Sequence, residues 1–108
     1  MNVLTLDFGT SATKAGLWAD QRLIALTRAP IATRHPAPDR AEQDPEDWWR
    51  SVVDACTALR AEHADLYSSV EAVGCSAARE TFACFDAELR ALGPGILWSD
   101  SRAVDEAR

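Results

Sequence analysis

Leu4-Thr5-Leu6-Asp7-Phe8-Gly9-Thr10-Ser11-Ala12-Thr13-Lys14 decides how this chain is read. A short apolar run delivers one carboxylate, Asp7. Gly9 follows, then the hydroxyls of Thr10, Ser11 and Thr13, then Lys14. A triphosphate carries many acceptor oxygens, and backbone N–H groups in a tight turn meet them where side chains stay clear, as at Gly9. The hydroxyls add short donors and Lys14 adds a positive charge. Asp7 suits Mg²⁺, directly or through water, because magnesium prefers carboxylate and water oxygens. Asp and Gly also make ordinary hairpin turns, so these residues alone leave two readings: a phosphate loop or a polar turn.

The composition narrows the field. The chain has 108 residues, 47% of them hydrophobic, enough for one domain. Its net charge of -6, with no basic patch interleaved with aromatics, argues against nucleic-acid binding. Cys56, Cys75 and Cys84 are odd in number and lack C-x-x-C spacing. Each lies among apolar residues, and they read as buried free thiols in a reducing compartment rather than a disulfide framework or a zinc site. His35 and His63 are isolated. Asp7 breaks the first apolar run early, and no stretch approaches the ~20 apolar residues of a membrane span. A soluble, cytoplasmic protein is expected, with no membrane or nucleic-acid partner.

Working outward from the loop, 2–7, 12–18 and 22–28 read as three strands, with a tight turn at Asp20-Gln21 and hairpin spacing throughout. They are expected to form an antiparallel meander. Pro30 to Arg40 carries three prolines and reads as an exposed extended loop. Asp44-Pro45-Glu46-Asp47 starts a helix: Asp44 caps, Pro45 suits the first position, and the acids favour the positive end of the dipole. Trp49, Val52, Val53, Cys56 and Leu59 predict one apolar helical face, ending near His63. Val70 to Ser76 reads as a mostly buried strand and Thr81 to Asp86 as another. Gly93-Pro94-Gly95 is a turn before the apolar run Ile96-Leu97-Trp98, and Ser99 or Asp100 caps a last helix. A helical connection lets the Val70–Ser76 strand lie parallel to the first. The expected fold class is α/β: a mixed sheet of three antiparallel strands plus one or more parallel strands, with helices.

Leu6 to Lys14 resembles the first phosphate motif of the sugar-kinase, heat-shock-70 and actin superfamily. Three more segments, in order, narrow this to the FGGY family of carbohydrate kinases. Glu42-Gln43-Asp44-Pro45 with Trp48-Trp49 resembles the family's approach to its first helix. Val70-Glu71-Ala72-Val73-Gly74-Cys75-Ser76 is similar to its central strand. Trp98-Ser99-Asp100-Ser101-Arg102 resembles its Trp-x-Asp-x-Arg segment. The resemblance implies a ribonuclease H-like (actin-like ATPase) fold and transfer of the γ-phosphoryl group of ATP, with Mg²⁺, to a sugar or polyol hydroxyl. It implies Gly9, Thr10, Ser11 and Lys14 as phosphate contacts and Asp7 as the metal site.

Arg79-Glu80-Thr81 follows the carboxyl end of the Val70–Ser76 strand, where open α/β sheets bind ligands. A carboxylate accepts from hydroxyls and a guanidinium donates to them, and an Arg79–Glu80 pair keeps either charge from being buried alone. Read without the family, the two are a surface ion pair. The resemblance makes them polyol contacts similar to those of the glycerol kinase branch, where the xylulose kinase branch carries a Met-His-Gly type segment. Trp98 is either an apolar wall for substrate or a core residue under the sheet. Asp100 and Arg102 are expected to pair locally. Ala12, Ala77-Ala78 and Glu88 depart from the family pattern. The base that receives the hydroxyl proton is an aspartate far downstream in the family, so no catalytic residue is expected within residues 1–108. These residues are expected to be the N-terminal portion of the family's N-terminal domain, inactive alone and completed by the remainder of the kinase or by self-association. Two other readings are a non-catalytic binding or regulatory module of the same fold, and a ribonuclease H-like nuclease. The nuclease needs a second acid on a later strand, for which Glu71 is the candidate.

Overall fold

A computed structural model describes residues 1–108. Strands β1 (Asn2–Phe8), β2 (Ala12–Ala19) and β3 (Arg22–Pro30) form the meander, followed by β4 (Glu42–Gln43), α1 (Pro45–Glu62), α2 (Ala64–Ser68), β5 (Ala72–Ala77) and β6 (Gly95–Ile96). The main sheet has the order β3-β2-β1-β5, and β4 pairs with β6 in a small second sheet. β1 runs antiparallel to β2 and parallel to β5. The expected mixed sheet is therefore present, with the helical segment making the crossover.

Local chemistry accounts for the meander. Asp20 and Gln21 both adopt positive φ, 46° and 68°, the backbone of a two-residue hairpin whose twist matches its strands. Strand alternation then assigns faces. Leu4 and Leu6 of β1, Thr13, Ala15 and Leu17 of β2, and Ala25, Thr27 and Ala29 of β3 turn toward α1. The core is Leu4, Ala15, Leu17, Ala29, Ala55 and Leu59. Its small residues let the helix approach closely enough for two polar ties: Thr13 Oγ1 meets Ser51 Oγ at 2.6 Å, and Thr27 Oγ1 donates to the Ala55 carbonyl at 2.9 Å.

α1 starts as expected: the Asp44 carboxylate accepts from the Glu46 N–H, Pro45 is the first residue, and the helix ends beside His63. Its buried face is partly as expected: Leu59 is fully buried and Cys56 packs against the core. Ser51 and Ala55 are buried beside them, while Trp49 is 68% exposed and Val53 is also exposed. The face toward the sheet is thus rotated from the apolar stripe, and small residues fill its middle. The loop after β3 departs too: β3 runs through Pro30, and Ile31 and Ala41 are buried against the body.

Three further expectations are corrected. β5 is expected to be mostly buried and the cysteines with it, yet all six of its residues are exposed, as is Cys84, because β5 is the edge strand and α1 packs over β2 and β3 rather than over it. Thr81 to Asp86 is not a strand. Only single bridges occur there, Phe82 to Ile96 and Phe85 to Ala91. The chain is redirected at Glu80 and again at a turn where the Asp86 carboxylate accepts from the Glu88 and Arg90 N–H groups. Residues 102–107 form turns rather than an α-helix. Their side chains after Arg102 are exposed, so no packed face sustains a short helix there.

Candidate functional site

Asp7 and Phe8 close β1, and Gly9 to Ala12 form the turn into β2. The Gly9 N–H donates to the Ala12 carbonyl at 3.0 Å. A Cβ on Gly9 would sit 3.0 Å from that same oxygen, so close backbone approach is what requires glycine here. The N–H groups of Thr10 and Ser11 have no partner within the chain, and two adjacent free donors in a tight turn suit an anion. The hydroxyl run divides: Thr13 is fully buried against Ser51, while Lys14 projects from the opposite sheet face. There it faces its cross-strand partner Asp7, with Nζ 3.7 Å from Oδ2.

β5 parallels β1, so the residues after its carboxyl end come up beside the turn. Asp7, Gly9, Thr10, Arg79, Glu80 and Trp98 share one cleft of about 430 Å³. The two groups of site residues expected from the sequence therefore meet. Ser11 and Lys14 do not line this cleft. The expected Arg79–Glu80 pair is absent: both side chains are exposed and no ion pair joins them. Glu80 takes a left-handed backbone, φ 54°, which is strained for a residue other than glycine. Trp98 is 60% exposed, which excludes the core reading. Its indole N–H donates to the Thr10 hydroxyl at 3.0 Å, and its backbone N–H donates to Thr81 Oγ1 at 3.3 Å.

Behind the cleft lies a network that holds the Trp98 segment. Arg102 donates to both Asp100 oxygens, at 2.8 and 2.7 Å, and to Glu42 Oε1 at 2.7 Å. Asp100 also accepts from the Ala41 N–H at 2.8 Å, and its side chain is 2% exposed. The guanidinium hydrogen bonds, reinforced by the backbone donors, hold the Asp100 carboxyl well below the usual carboxylate range. The local Asp100–Arg102 pair is as expected, whereas the link to Glu42 was not foreseen.

Gln43 is a site residue that the sequence presents only as part of the helix approach: it is 2% exposed and its amide reaches the Thr10 carbonyl at 2.6 Å. Asp44 caps the helix by itself, so a glutamine just ahead of it had no capping duty, and that was the available signal. Glu71 lies at the far end of β5 from the cleft and accepts from the Asn2 N–H at 3.0 Å. It does not approach Asp7, so the nuclease pairing fails.

The model of the FGGY family of carbohydrate kinases, N-terminal domain, matches residues 2–108. Xylulose kinase of Escherichia coli (strain K12) is 34% identical over 102 residues, and glycerol kinase of Methylobacterium nodulans is 35% identical over 104 residues. Each match covers 94% of this chain but only 21% of the relative's length. A crystal structure of a "xyloylose kinase" from Brucella ovis superposes with a TM-score of 0.96 at 36% identity, covering 99% of this chain and 23% of that one. Glycerol kinase of Plasmodium falciparum, solved with ADP, shares the fold, with a TM-score of 0.88 at 21% identity over 97% of this chain and 22% of that one. Sequence and architecture agree along the whole chain, which belongs to the N-terminal domain of the FGGY family of carbohydrate kinases.

Proposed function

We propose that this chain supplies the phosphate loop and part of the acceptor site of an ATP-dependent kinase acting on a sugar or polyol. The observation that carries the reading is the shared cleft of Asp7, Gly9, Thr10, Arg79, Glu80 and Trp98. The free N–H groups of Thr10 and Ser11 and the Thr10 hydroxyl receive phosphate oxygens. Arg79 donates to substrate hydroxyls, Glu80 accepts from them, and the exposed Trp98 ring covers the carbon chain. That Arg79 and Glu80 do not pair with each other leaves both available to a polyol.

Asp7 presents one half-exposed carboxylate beside Lys14. Magnesium takes few protein ligands and keeps several waters, so a single carboxylate next to phosphate oxygens fits it. When bound, the ion neutralises phosphate charge. Lys14 balances Asp7 and lies within a side chain's reach of the loop. The remaining requirement, a carboxylate that takes the hydroxyl proton, belongs in this reading to another part of the polypeptide. Residues 1–108 are then the N-terminal portion of the domain and inactive alone.

A coupled ATP-consumption screen of the full-length gene product over polyols and ketoses tests this. Turnover on a polyol, lost in Arg79→Ala and Glu80→Gln, is expected. Turnover on ketoses alone would overturn the polyol assignment. No ATP consumption with any acceptor would favour a binding module.

A further inference from the structure

We infer that Gln43 is a positioning residue for the phosphate loop, a role that rests on the kinase reading of Asp7–Lys14. Gln43 sits on β4, remote in sequence from the loop, and is almost wholly buried. All of its amide hydrogen-bonding groups are engaged. Nε2 donates to the Thr10 carbonyl at 2.6 Å and to Thr33 Oγ1 at 3.0 Å. Oε1 accepts from the Trp48 indole N–H at 2.7 Å. A buried amide satisfied at every position has one orientation, because turning it over would set donor against donor.

That orientation acts on the loop. A peptide unit is planar, so the Thr10 carbonyl and the Ser11 N–H belong to one rigid plane. Holding the Thr10 oxygen toward Gln43 turns the Ser11 N–H to the opposite side, away from the protein body. The Ser11 carbonyl is held separately, accepting from the Ile31 N–H at 2.8 Å. The Thr10 hydroxyl is held by Trp98. The turn therefore presents its free donors in a geometry set before any anion arrives, and preorganisation of this kind raises affinity by removing an ordering cost. Trp48, which fixes Gln43, is on the first turn of α1, so the helix start is coupled to the loop.

The test uses the full-length gene product and three variants. Gln43→Met keeps the length and removes the donors, and Thr33→Val removes one Gln43 contact without touching Thr10. Gln43→Glu keeps the acceptor for Trp48 and serves if Gln43→Met does not fold. Affinity for Mg·ATP is measured by calorimetry, and amide hydrogen exchange is followed at Gly9 and Ile31, whose N–H groups are hydrogen-bonded to the turn at Ala12 and Ser11. Gln43→Met, or Gln43→Glu in its place, is expected to weaken Mg·ATP binding on the order of tenfold and to speed exchange at Gly9 and Ile31. Thr33→Val is expected to bind as the wild type does. Equal affinity in wild type and Gln43 variants, or an equal loss in Thr33→Val, overturns the positioning role while leaving the kinase reading intact. A wild-type protein that does not bind Mg·ATP overturns both.

Discussion

The Trp98 indole N–H donates to the Thr10 hydroxyl at 3.0 Å, joining residues 88 positions apart. One bond thus links the Trp98 side of the cleft to the Gly9–Thr10 turn. Trp98→Phe keeps an apolar ring and removes the donor. Because the site is exposed, stability should fall by no more than about 1 kcal/mol. Nucleotide affinity should fall more than acceptor affinity, since the ring stays and Thr10 loses its restraint. Urea unfolding and separate titrations with Mg·ATP and polyol check this.

Asp100 makes stability sensitive to acid. Its folded pKa is depressed, so its contribution is fully present above the unfolded value of about 4 and declines as pH falls from there toward the folded pKa. Urea midpoints measured from pH 6 down to 3 should drop in the wild type. In Asp100→Asn the midpoint should be lower at pH 6 and flatter with pH. A parallel pH dependence in the two proteins would show that Asp100 is not the titrating group.

Gly95 packs against the Trp48 ring, and a Cβ there would overlap the ring's Cη2 and Cζ2 atoms. Gly95→Ala should cost about 1–3 kcal/mol by forcing Trp48 aside. Since Trp48 holds Gln43, the same substitution should weaken Mg·ATP binding. Stability loss without any change in binding would place Trp48 outside the coupling.

The face of α1 that carries Trp49 and Val53 is exposed, as is Val73 on β5. Residues 1–108 expressed alone should bind an apolar dye and self-associate as concentration rises. Trp49→Glu should reduce both, with a stability change within about 0.5 kcal/mol. Sedimentation velocity over a concentration series distinguishes this from a monomer, which would contradict the expectation.

Much of the fold was legible because its signals are local. Asp44-Pro45 carries a cap and a first turn, Asp20-Gln21 fits a two-residue hairpin, and hairpin spacing specifies the meander. The site was legible in part for the same reason, since Asp7, Gly9 and Thr10 are neighbours in sequence. Errors came where a residue's environment depends on distant chain. Trp49 and Val53 read as core because they are apolar, but α1 turns Ser51, Ala55, Cys56 and Leu59 to the sheet instead. Thr13 read as a phosphate donor, but strand alternation turns it to Ser51. β5 read as buried because its sequence is apolar, whereas burial of strand side chains requires an element packed on the sheet face, and α1 covers β2 and β3.

By itself the sequence determined the three-strand meander, the start of α1, the turn chemistry and the family to which the chain belongs. These depend on backbone propensities and on contacts within a few residues. Only the tertiary structure decided that Arg79 and Glu80 line a cleft without pairing with each other, that Trp98 reaches Thr10, and that Gln43 reaches the Thr10 carbonyl. The two Thr10 contacts join residues 88 and 33 positions apart. Residue type and spacing do not encode such distances, because they arise when the parallel pairing of β5 and the docking of β4 bring separate segments to one end of the sheet.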